Sequence, residues 1–390
     1  MTTKLSKKFI ALFTAVLFCF CTFAEPVIDE TFGYALDIPE GYELTATTND
    51  NLSYAFNHKN LPVTLAVKIY DSTENAHSVL QTALQKIGSK DEAGSFDWNK
   101  NLCAISKVNF ALSDGQEFGG WAVCAPTKLK GYFLTLLCYA PKSISDRCDY
   151  FIMSTLNSLQ IGDGKSTGII TDFAYPKKGK QDIQLTIGGK KIKTTIDKSD
   201  AEAAGFVVNI EFAVLSMYAN HPKKVEAWKR YYRLIYRDSY ARLHHVSDDI
   251  YKALSTDIKA KYPNNTKLGY AQTLLSWVQT FDYKRAKEKT SSDFTPLPAI
   301  LTGEGSDCDS RSMLVSLMLN AKKIPSVLLL SPAYSHAMAG TEIKAPGQTF
   351  VNTETNKEYL MGETTAKVTW GTIAQYHADK TKWFAIELDN

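Results

Sequence analysis

One cysteine, Cys308, has the surroundings of a nucleophile. It lies in the stretch GEGSDCDSRSML (303–314), where small and acidic residues lead directly into an apolar helical pattern. A thiol at the start of a helix is close to unpaired backbone N–H groups and to the positive end of the helix dipole, both of which favour a thiolate. The same N–H groups can bind the oxyanion that forms when sulfur attacks a carbonyl. The position therefore indicates acyl transfer.

A histidine and a carboxylate follow the cysteine on predicted strands. A cysteine nucleophile usually needs a histidine base, and His336 lies at a predicted loop-to-strand junction. Glu363 lies on a later strand, from which a carboxylate can bind the second ring nitrogen and select the tautomer. Cys308, His336 and Glu363 are therefore the candidate catalytic residues. Glu354 is the alternative acid, and Gln279 is a candidate oxyanion donor.

The elements that must position these residues are a helix, a strand and a hairpin. Ser306 or Asp307 can cap the helix, Pro325 ends it, and the following SVLLL is typical of a buried strand. Apolar and polar residues alternate over 350–365, which predicts the hairpin.

The residues beside the cysteine pose a difficulty for this interpretation. Asp307 and Asp309 are its direct neighbours, and negative charges oppose formation of a thiolate. The interpretation therefore requires that their side chains point away from the sulfur or pair with Arg311.

The chain upstream of the cysteine helix is predicted to be mostly helical. Residues 182–196 form a hairpin around Gly188-Gly189, and helices then continue to about residue 284. The helix over 225–243 carries aromatic residues on one side and basic residues largely on another. We expect an apolar stripe packed in the core and a solvated basic face, with contact to an anionic surface as the alternative.

Two apparent ligand motifs are rejected. His244-His245 stands near Asp248-Asp249, but adjacent histidines point to different sides of a helix and no HExxH motif is present, so we predict no metal. The GKS at 164–166 lacks the preceding glycine that a phosphate-binding loop needs, because Leu159 occupies that position. No cofactor is expected.

Short strands and two helices are predicted in the first part of the chain. Strands are expected at 34–39, 61–70, 102–112, 118–126 and 131–140, and helices at 77–88 and 145–161. Four cysteines lie in this part, and in an oxidising compartment they could form two disulfides by three connectivities. They are Cys103, Cys124, Cys138 and Cys148.

The first 24 residues have the pattern of a secretory signal, with three lysines, an apolar run and a small residue at Ala24. We therefore expect an exported protein, periplasmic or extracellular. A lipid anchor at Cys19 or Cys21 is disfavoured because Phe18 and Phe20 precede them.

The three lysines account for the whole excess of 44 basic over 41 acidic residues. A neutral mature chain argues against a nucleic-acid partner, and no second apolar run suggests a stable membrane span.

The C-terminal part resembles the transglutaminase-like superfamily of cysteine acyl-transfer proteins. Residues 305–309, GSDCD, match its G-x-D-C-[DE] signature; 335–337, SHA, match its His-Ala strand start; and 359–365, YLMGETT, match its closing acid-Thr-Thr strand. LLSWVQTFDY (274–283) is similar to the family's helix before the cysteine. The resemblance implies Cys308 as nucleophile, His336 as general base and acid, and Glu363 as orienting acid.

Two positions depart from the family pattern. Met338 replaces the aromatic residue that often follows the His-Ala pair, and Glu363 stands where an aspartate is common. Neither change removes a required functional group.

The N-terminal part resembles Mog1/PsbP-like α/β sandwiches through its layout and its GYALDIPEGY opening (33–42). That resemblance implies a docking or accessory module.

Together these observations predict the α+β class and four segments. They are a signal peptide (1–24), a Mog1/PsbP-like α/β sandwich (25–161), a linker (162–182) and a papain/transglutaminase-like domain with helices on an antiparallel sheet (183–390). The predicted function is an exported cysteine peptidase, amidase or acyl transferase acting on proteins or peptides, including those of the cell envelope. The alternative is a non-catalytic exported docking protein with the same fold.

Overall fold

The computed structural model describes residues 26–162, 165–285 and 291–388. Within these ranges helices and antiparallel sheets share the chain, which confirms the α+β class. The predicted signal peptide lies outside the described residues, as do Cys19 and Cys21.

A large antiparallel sheet organises the first part of the chain. Its strands and those of a smaller sheet are β1 (Val27–Asp29), β2 (Tyr34–Leu36), β3 (Tyr42–Thr47), β4 (Ser53–His58), β5 (Thr64–Asp71), β6 (Gly94–Trp98), β7 (Asn101–Ala111), β8 (Glu117–Pro126), β9 (Tyr132–Pro141) and β10 (Leu159–Ile161). The large sheet has the order β3-β4-β5-β9-β8-β7-β6, and the small one has the order β1-β2-β10.

Two helices cover opposite faces of the seven-stranded sheet. Helix α1 (Ala76–Lys86) packs on β7 and β8, and helix α2 (Asp149–Asn157) packs on β8 and β9 from the other side. The helix expected over 145–161 is shorter than predicted because Leu159–Ile161 leaves it and pairs with β2. This part is therefore an α/β sandwich.

The four cysteines of this sandwich form no disulfide, although the sequence allowed two bridges. Cys103, Cys138 and Cys148 belong to the core on the α2 side, whereas Cys124 packs under α1 on the other face. Side chains alternate between the two faces of a sheet, so the position of each cysteine along its strand decides which core it enters. All four thiols are free and buried.

A second hairpin and a set of helices follow the sandwich. The hairpin joins β11 (Lys180–Ile187) to β12 (Lys190–Asp197) and turns at Gly188 and Gly189, both at positive φ, as predicted. The helices are α3 (Ile169–Ala174), α4 (Asp200–Ser216), α5 (Lys224–Lys261), α6 (Thr266–Val278), α7 (Leu297–Leu301) and α8 (Cys308–Asn320). Helix α3 lies inside the stretch interpreted as a linker and packs on α2 and α4.

The last part of the chain forms an antiparallel sheet that α8 covers. Its strands are β13 (Ser326–Ser331), β14 (His336–Thr341), β15 (Thr349–Asn352), β16 (Lys357–Gly362) and β17 (Phe384–Ile386), in the order β15-β16-β14-β13-β17. Helix α8 packs on β13 and β14, and α5 and α6 pack on α8. No helix of the described ranges is both long enough and apolar enough to span a membrane.

The basic residues of α5 correct one expectation. Arg230 and Arg237 were expected on a solvated face, but they are only 2% and 4% exposed. Arg230 donates to Glu211 Oε2 at 2.8 Å, and Arg237 donates to the carbonyl oxygen of Ser158 at 2.7 Å. Helical periodicity shows which side chains share a face, but it does not show that polar partners from the sandwich cover that face. Glu211 lies on α4, whereas Ser158 belongs to the sandwich, as does Asp37, whose carbonyl oxygen accepts Arg230 Nε at 2.7 Å. The contacts to Ser158 and Asp37 join the sandwich to α5.

We predict that Arg230→Ala lowers the free energy of unfolding by about 3 kcal/mol or more, because it leaves the buried Glu211 carboxylate without its partner. Urea unfolding measures this change. The neighbouring Lys229→Ala is the control, since Lys229 pairs with the exposed Glu354 and should cost about 1 kcal/mol or less. Similar small effects of both changes would show that the buried pair of Arg230 and Glu211 does not stabilise the fold.

Candidate functional site

The N-terminus of α8 positions Cys308. The Asp307 side chain caps the helix, since its Oδ1 accepts the backbone N–H of Ser310 at 3.1 Å. Cys308 is therefore the first residue of the helix, and its thiol is buried at 5% exposure. Ser312 Oγ donates to the Cys308 carbonyl oxygen at 2.7 Å and fixes this turn. Of the two predicted caps, the structure uses Asp307.

His336 and Glu363 are in direct contact, as the hairpin prediction requires. His336 begins β14, and Glu363 directly follows β16, the strand that pairs with β14. His336 Nε2 lies 2.8 Å from Glu363 Oε2. Because an ionised carboxylate only accepts hydrogen bonds, Nε2 carries the hydrogen and Nδ1 is left for another partner.

The Cys308 thiol lies against β14, one residue beyond His336. The backbone N–H of Ala337 hydrogen-bonds the sulfur and acts to lower its pKa. No hydrogen bond joins Cys308 directly to the His336 ring among the residues that the structure describes. Catalytic hydrogen bonds are often long in the free enzyme and shorten when substrate binds.

Glu363 is held in place from three directions. Its Oε1 accepts hydrogen bonds from the backbone N–H and hydroxyl of Thr365, at 2.8 and 2.6 Å. Gln279 Nε2 donates to the Glu363 carbonyl oxygen at 2.8 Å. Burial acts to raise the pKa of the Glu363 carboxyl, but hydrogen bonds from His336 and Thr365 outweigh it and hold the pKa below its usual value. The carboxylate is therefore ionised at neutral pH.

The two reserve candidates from the sequence do not take the predicted roles. Glu354 pairs with Lys229 at 2.6 Å on the surface, whereas the His336 ring contacts Glu363. The Gln279 amide nitrogen donates to the carbonyl oxygens of Glu363 and Val368, at 2.8 and 3.0 Å. It is thus committed to the backbone and does not serve as an oxyanion donor.

The expectation that the helix start favours a thiolate is wrong for the free protein. Burial, and then the charge of Asp309, raise the pKa of the Cys308 thiol to about 12, although the Ala337 N–H and Arg285 act in the opposite direction. At neutral pH the sulfur therefore keeps its proton.

Arg311 does not neutralise the acids that flank the cysteine. Its guanidinium donates to Ser306 Oγ at 3.0 Å and to the Phe281 carbonyl oxygen at 2.7 Å. Asp309 instead accepts the Tyr232 hydroxyl at 2.5 Å. The expected pairing with Arg311 is therefore not formed.

A cleft of about 620 Å³ opens beside the histidine and the glutamate. It is lined by Tyr283, Tyr334, His336, Glu363, Thr365, Ala366, Val368, Thr372, Ile373, Ala374, Tyr376 and His377. Cys308 is not among the residues that line the cleft, and its side chain is buried. His336 and Glu363 are thus the members of the predicted triad that face the cleft.

Among the residues that the structure describes, two groups of side chains have the separations that a metal ion needs. They are His336, Glu363 and His377, and Asp293, Asp307 and Asp309, each with ligand atoms within 4.8 Å of one another. In the first group the histidine rings lie face to face, 23° from parallel, so their lone pairs do not converge on one point.

The acidic group has charge compensation from the chain itself. Asp293 pairs with Arg285 at 2.6 Å. Burial and the charge of Asp309 raise the pKa of Asp307 far above its usual range, so Asp307 holds a proton. The histidines rejected as ligands bind carbonyl oxygens in different places, His244 that of Tyr240 and His245 that of Thr195, at 3.0 and 2.7 Å.

The sequence prediction missed His377. It lies in a short 3₁₀ helix, Gln375–His377, and its ring stacks on His336 with a centroid distance of 4.7 Å. The surrounding sequence is polar and irregular, and histidine alone gives no periodic signal. The one indication in the sequence was that His377 follows Glu363 in the chain.

Comparison with known proteins gives only distant likenesses. No protein-family model matches the chain, and no curated protein matches it. The N-terminal part has a weak structural resemblance to PsbP and Mog1. Cyanobacterial PsbP from Synechocystis is 13% identical with a TM-score of 0.31, over 36% of this chain and 94% of that one.

Two further structures are similar at the same low level. The Ran-binding protein Mog1p of Saccharomyces cerevisiae is 8% identical with a TM-score of 0.25, over 35% of this chain and 94% of that one. LpqN of Mycobacterium tuberculosis, involved in cell envelope biogenesis, is 14% identical with a TM-score of 0.25, over 34% and 85%. Likenesses at these TM-scores carry no argument about function.

We predict that Asp309→Asn makes Cys308 react faster with iodoacetamide at pH 8. Removing the negative charge lowers the thiol pKa, and below its pKa a thiol gains about tenfold in thiolate for each unit of decrease. We therefore expect the alkylation rate of Cys308 to rise roughly three- to tenfold. Mass spectrometry of the labelled peptide measures this rate. Asp114→Asn, in an exposed turn of the sandwich, is the control. An unchanged rate would show that the flanking acid does not set the thiol pKa.

Proposed function

We propose that this protein is an exported, transglutaminase-like cysteine enzyme that acts on amide bonds of proteins or peptides. The observation that carries the proposal is the 2.8 Å hydrogen bond between His336 and Glu363, formed beside a cysteine at the start of a helix. A base that is oriented by a carboxylate and placed next to a nucleophile is the arrangement of acyl-transfer enzymes.

The proposed reaction begins with a neutral thiol. As the sulfur attacks the amide carbonyl, its proton passes to His336 Nδ1, and a C–S bond forms. The backbone N–H groups at the start of α8 stabilise the oxyanion. The imidazolium then returns the proton to the amine as the C–N bond breaks, which leaves a thioester on Cys308.

The second half of the reaction releases the acyl group. His336 removes a proton from water or from an amine as the new nucleophile attacks the thioester carbonyl. The C–S bond then breaks, and the imidazolium returns the proton to the sulfur. Water gives a peptidase or amidase, and an amine gives an acyl transferase. Glu363 stabilises the imidazolium in both halves, and its lowered pKa keeps it ionised for this role.

The raised thiol pKa assigns a specific task to the histidine. Since the sulfur is protonated at rest, His336 acts as a general base during attack, a contribution that is typically 10²–10⁴-fold. The thiol must also become accessible when substrate enters, because Cys308 is buried in the free protein.

The N-terminal sandwich is proposed as a docking module, and residues 1–24 as the export signal.

The cleft walls are neutral apart from Glu363 and the histidines, and they include Tyr283 and Tyr376. Such walls suit an uncharged peptide segment.

One observation favours the alternative, a non-catalytic docking protein. The Cys308 thiol is buried, and its pKa is raised to about 12, as for a cysteine that only packs. The two functions differ in whether an acyl group can be transferred to this sulfur.

We predict that p-nitrophenyl acetate acetylates Cys308 and that His336→Ala slows this reaction by about 10²-fold or more. Intact-mass and peptide mass spectrometry locate the acetyl group, and hydroxylamine removes it if it is a thioester. Glu363→Gln should also slow acetylation, whereas the matched control Glu354→Gln should not, because Glu354 pairs with Lys229.

The docking alternative predicts a different outcome. Cys308 would remain unmodified, or would react equally in wild-type protein and His336→Ala. Either result would contradict the proposed enzyme.

A further inference from the structure

His377 packs on the outer face of the proposed general base. The His336 and His377 ring centroids lie 4.7 Å apart with the planes 23° from parallel. His377 is itself buried, and Trp383 Nε1 donates to its carbonyl oxygen at 3.0 Å. The stack therefore has a fixed backbone anchor.

We propose that His377 is a positioning residue that holds the His336 ring in the orientation needed for Nε2 to bind Glu363 and Nδ1 to face Cys308. The proposal rests on the proposed function, since it assigns the orientation of the same base. A stacked ring prevents rotation of its neighbour about the Cβ–Cγ bond, which a single hydrogen bond at Nε2 limits less.

The ring contact, rather than a hydrogen bond, is what His377 supplies. Its Nδ1 is buried and has no hydrogen-bond partner among the described residues. That nitrogen lies 4.0 Å from Glu363 Oε2, which is too long for a hydrogen bond. Glu363 Oε2 therefore remains available to His336.

A stacking partner must also stay uncharged when His336 takes up a proton. Burial, and then the neighbouring His336, lower the pKa of His377, while Glu363 acts to raise it. The net lowering keeps His377 neutral at neutral pH, so it does not repel the imidazolium.

Aromatic side chains surround the stacked histidine. Tyr334, Tyr376 and Trp383 have ring centroids 5.1, 4.1 and 6.0 Å from that of His377. Tyr376 is 72% exposed and covers the His377 ring from the solvent side. The surroundings thus pack around the ring of His377, and among the described residues they give its Nδ1 no hydrogen-bond partner.

Two substitutions at position 377 distinguish the stacking of the ring from the chemistry of the histidine nitrogens. His377→Ala removes the stack, and His377→Phe keeps a flat uncharged ring. We expect the Nε2–H proton signal of His336, observed by NMR with ¹⁵N-labelled histidine, to persist in His377→Phe and to be lost to solvent exchange in His377→Ala. His244→Ala, a change of an exposed histidine on α5, should leave the signal unchanged.

The acetylation rate of Cys308 gives the second readout. It should fall about tenfold or more in His377→Ala and stay within about threefold of wild type in His377→Phe, because small misplacements of a catalytic group cost large factors in rate. Thermal unfolding of both variants shows whether either change acts by unfolding the protein.

The proposal is overturned if the His336 signal is the same in His377→Ala and wild type, or if His377→Phe loses it as fully as His377→Ala. The NMR result does not depend on catalysis. An altered signal in a protein that never acetylates Cys308 would contradict the proposed enzyme and leave the positioning role intact.

Discussion

The hydrogen bond between His336 Nε2 and Glu363 Oε2 is the contact on which the rest of the site depends. It requires β14 and β16 to be neighbours, and it requires a carboxylate that stays ionised although it is buried. Thr365 supplies two hydrogen bonds to Oε1, and Gln279 holds the Glu363 backbone. The bond selects the tautomer of His336, and the tautomer decides that Nδ1 is the nitrogen available to a nucleophile.

The environment of Cys308 opposes the ion pair of thiolate and imidazolium that many cysteine enzymes use. Burial and the charge of Asp309 raise the Cys308 pKa to about 12, and these effects outweigh the helix terminus. A neutral thiol is compatible with acyl transfer only if its proton moves during attack. Acyl transfer then depends more strongly on the orientation of the imidazole, which is the role of Glu363 and the role proposed for His377.

Much of the site follows from local patterns in the sequence. The cap at Asp307, the helix that starts at Cys308 and the strands beginning at His336 and ending before Glu363 each have a short-range physical cause. Their order also made the contact between His336 and Glu363 predictable. These features need only side-chain periodicity, capping and strand pairing.

Other features depend on contacts between distant segments and were not predictable. His377 reaches His336 through an irregular loop, which has no periodicity. The burial of Arg230 depends on Glu211 and on the sandwich, which its own helix does not reveal. Cys124 faces away from Cys103 because of strand register, which composition does not specify. The raised Cys308 pKa likewise results from tertiary burial.

The central claim is that Glu363 acts on the cysteine only through His336, by orienting its imidazole. A double-mutant cycle tests it directly, with the rate of Cys308 alkylation by iodoacetamide near neutral pH measured in wild type, His336→Ala, Glu363→Gln and the double variant. We expect Glu363→Gln to slow alkylation in wild type and to have no further effect once His336 is absent, a coupling of about 1 kcal/mol or more. If Glu363→Gln changes the rate by the same factor in both backgrounds, the two residues act independently and the account is contradicted.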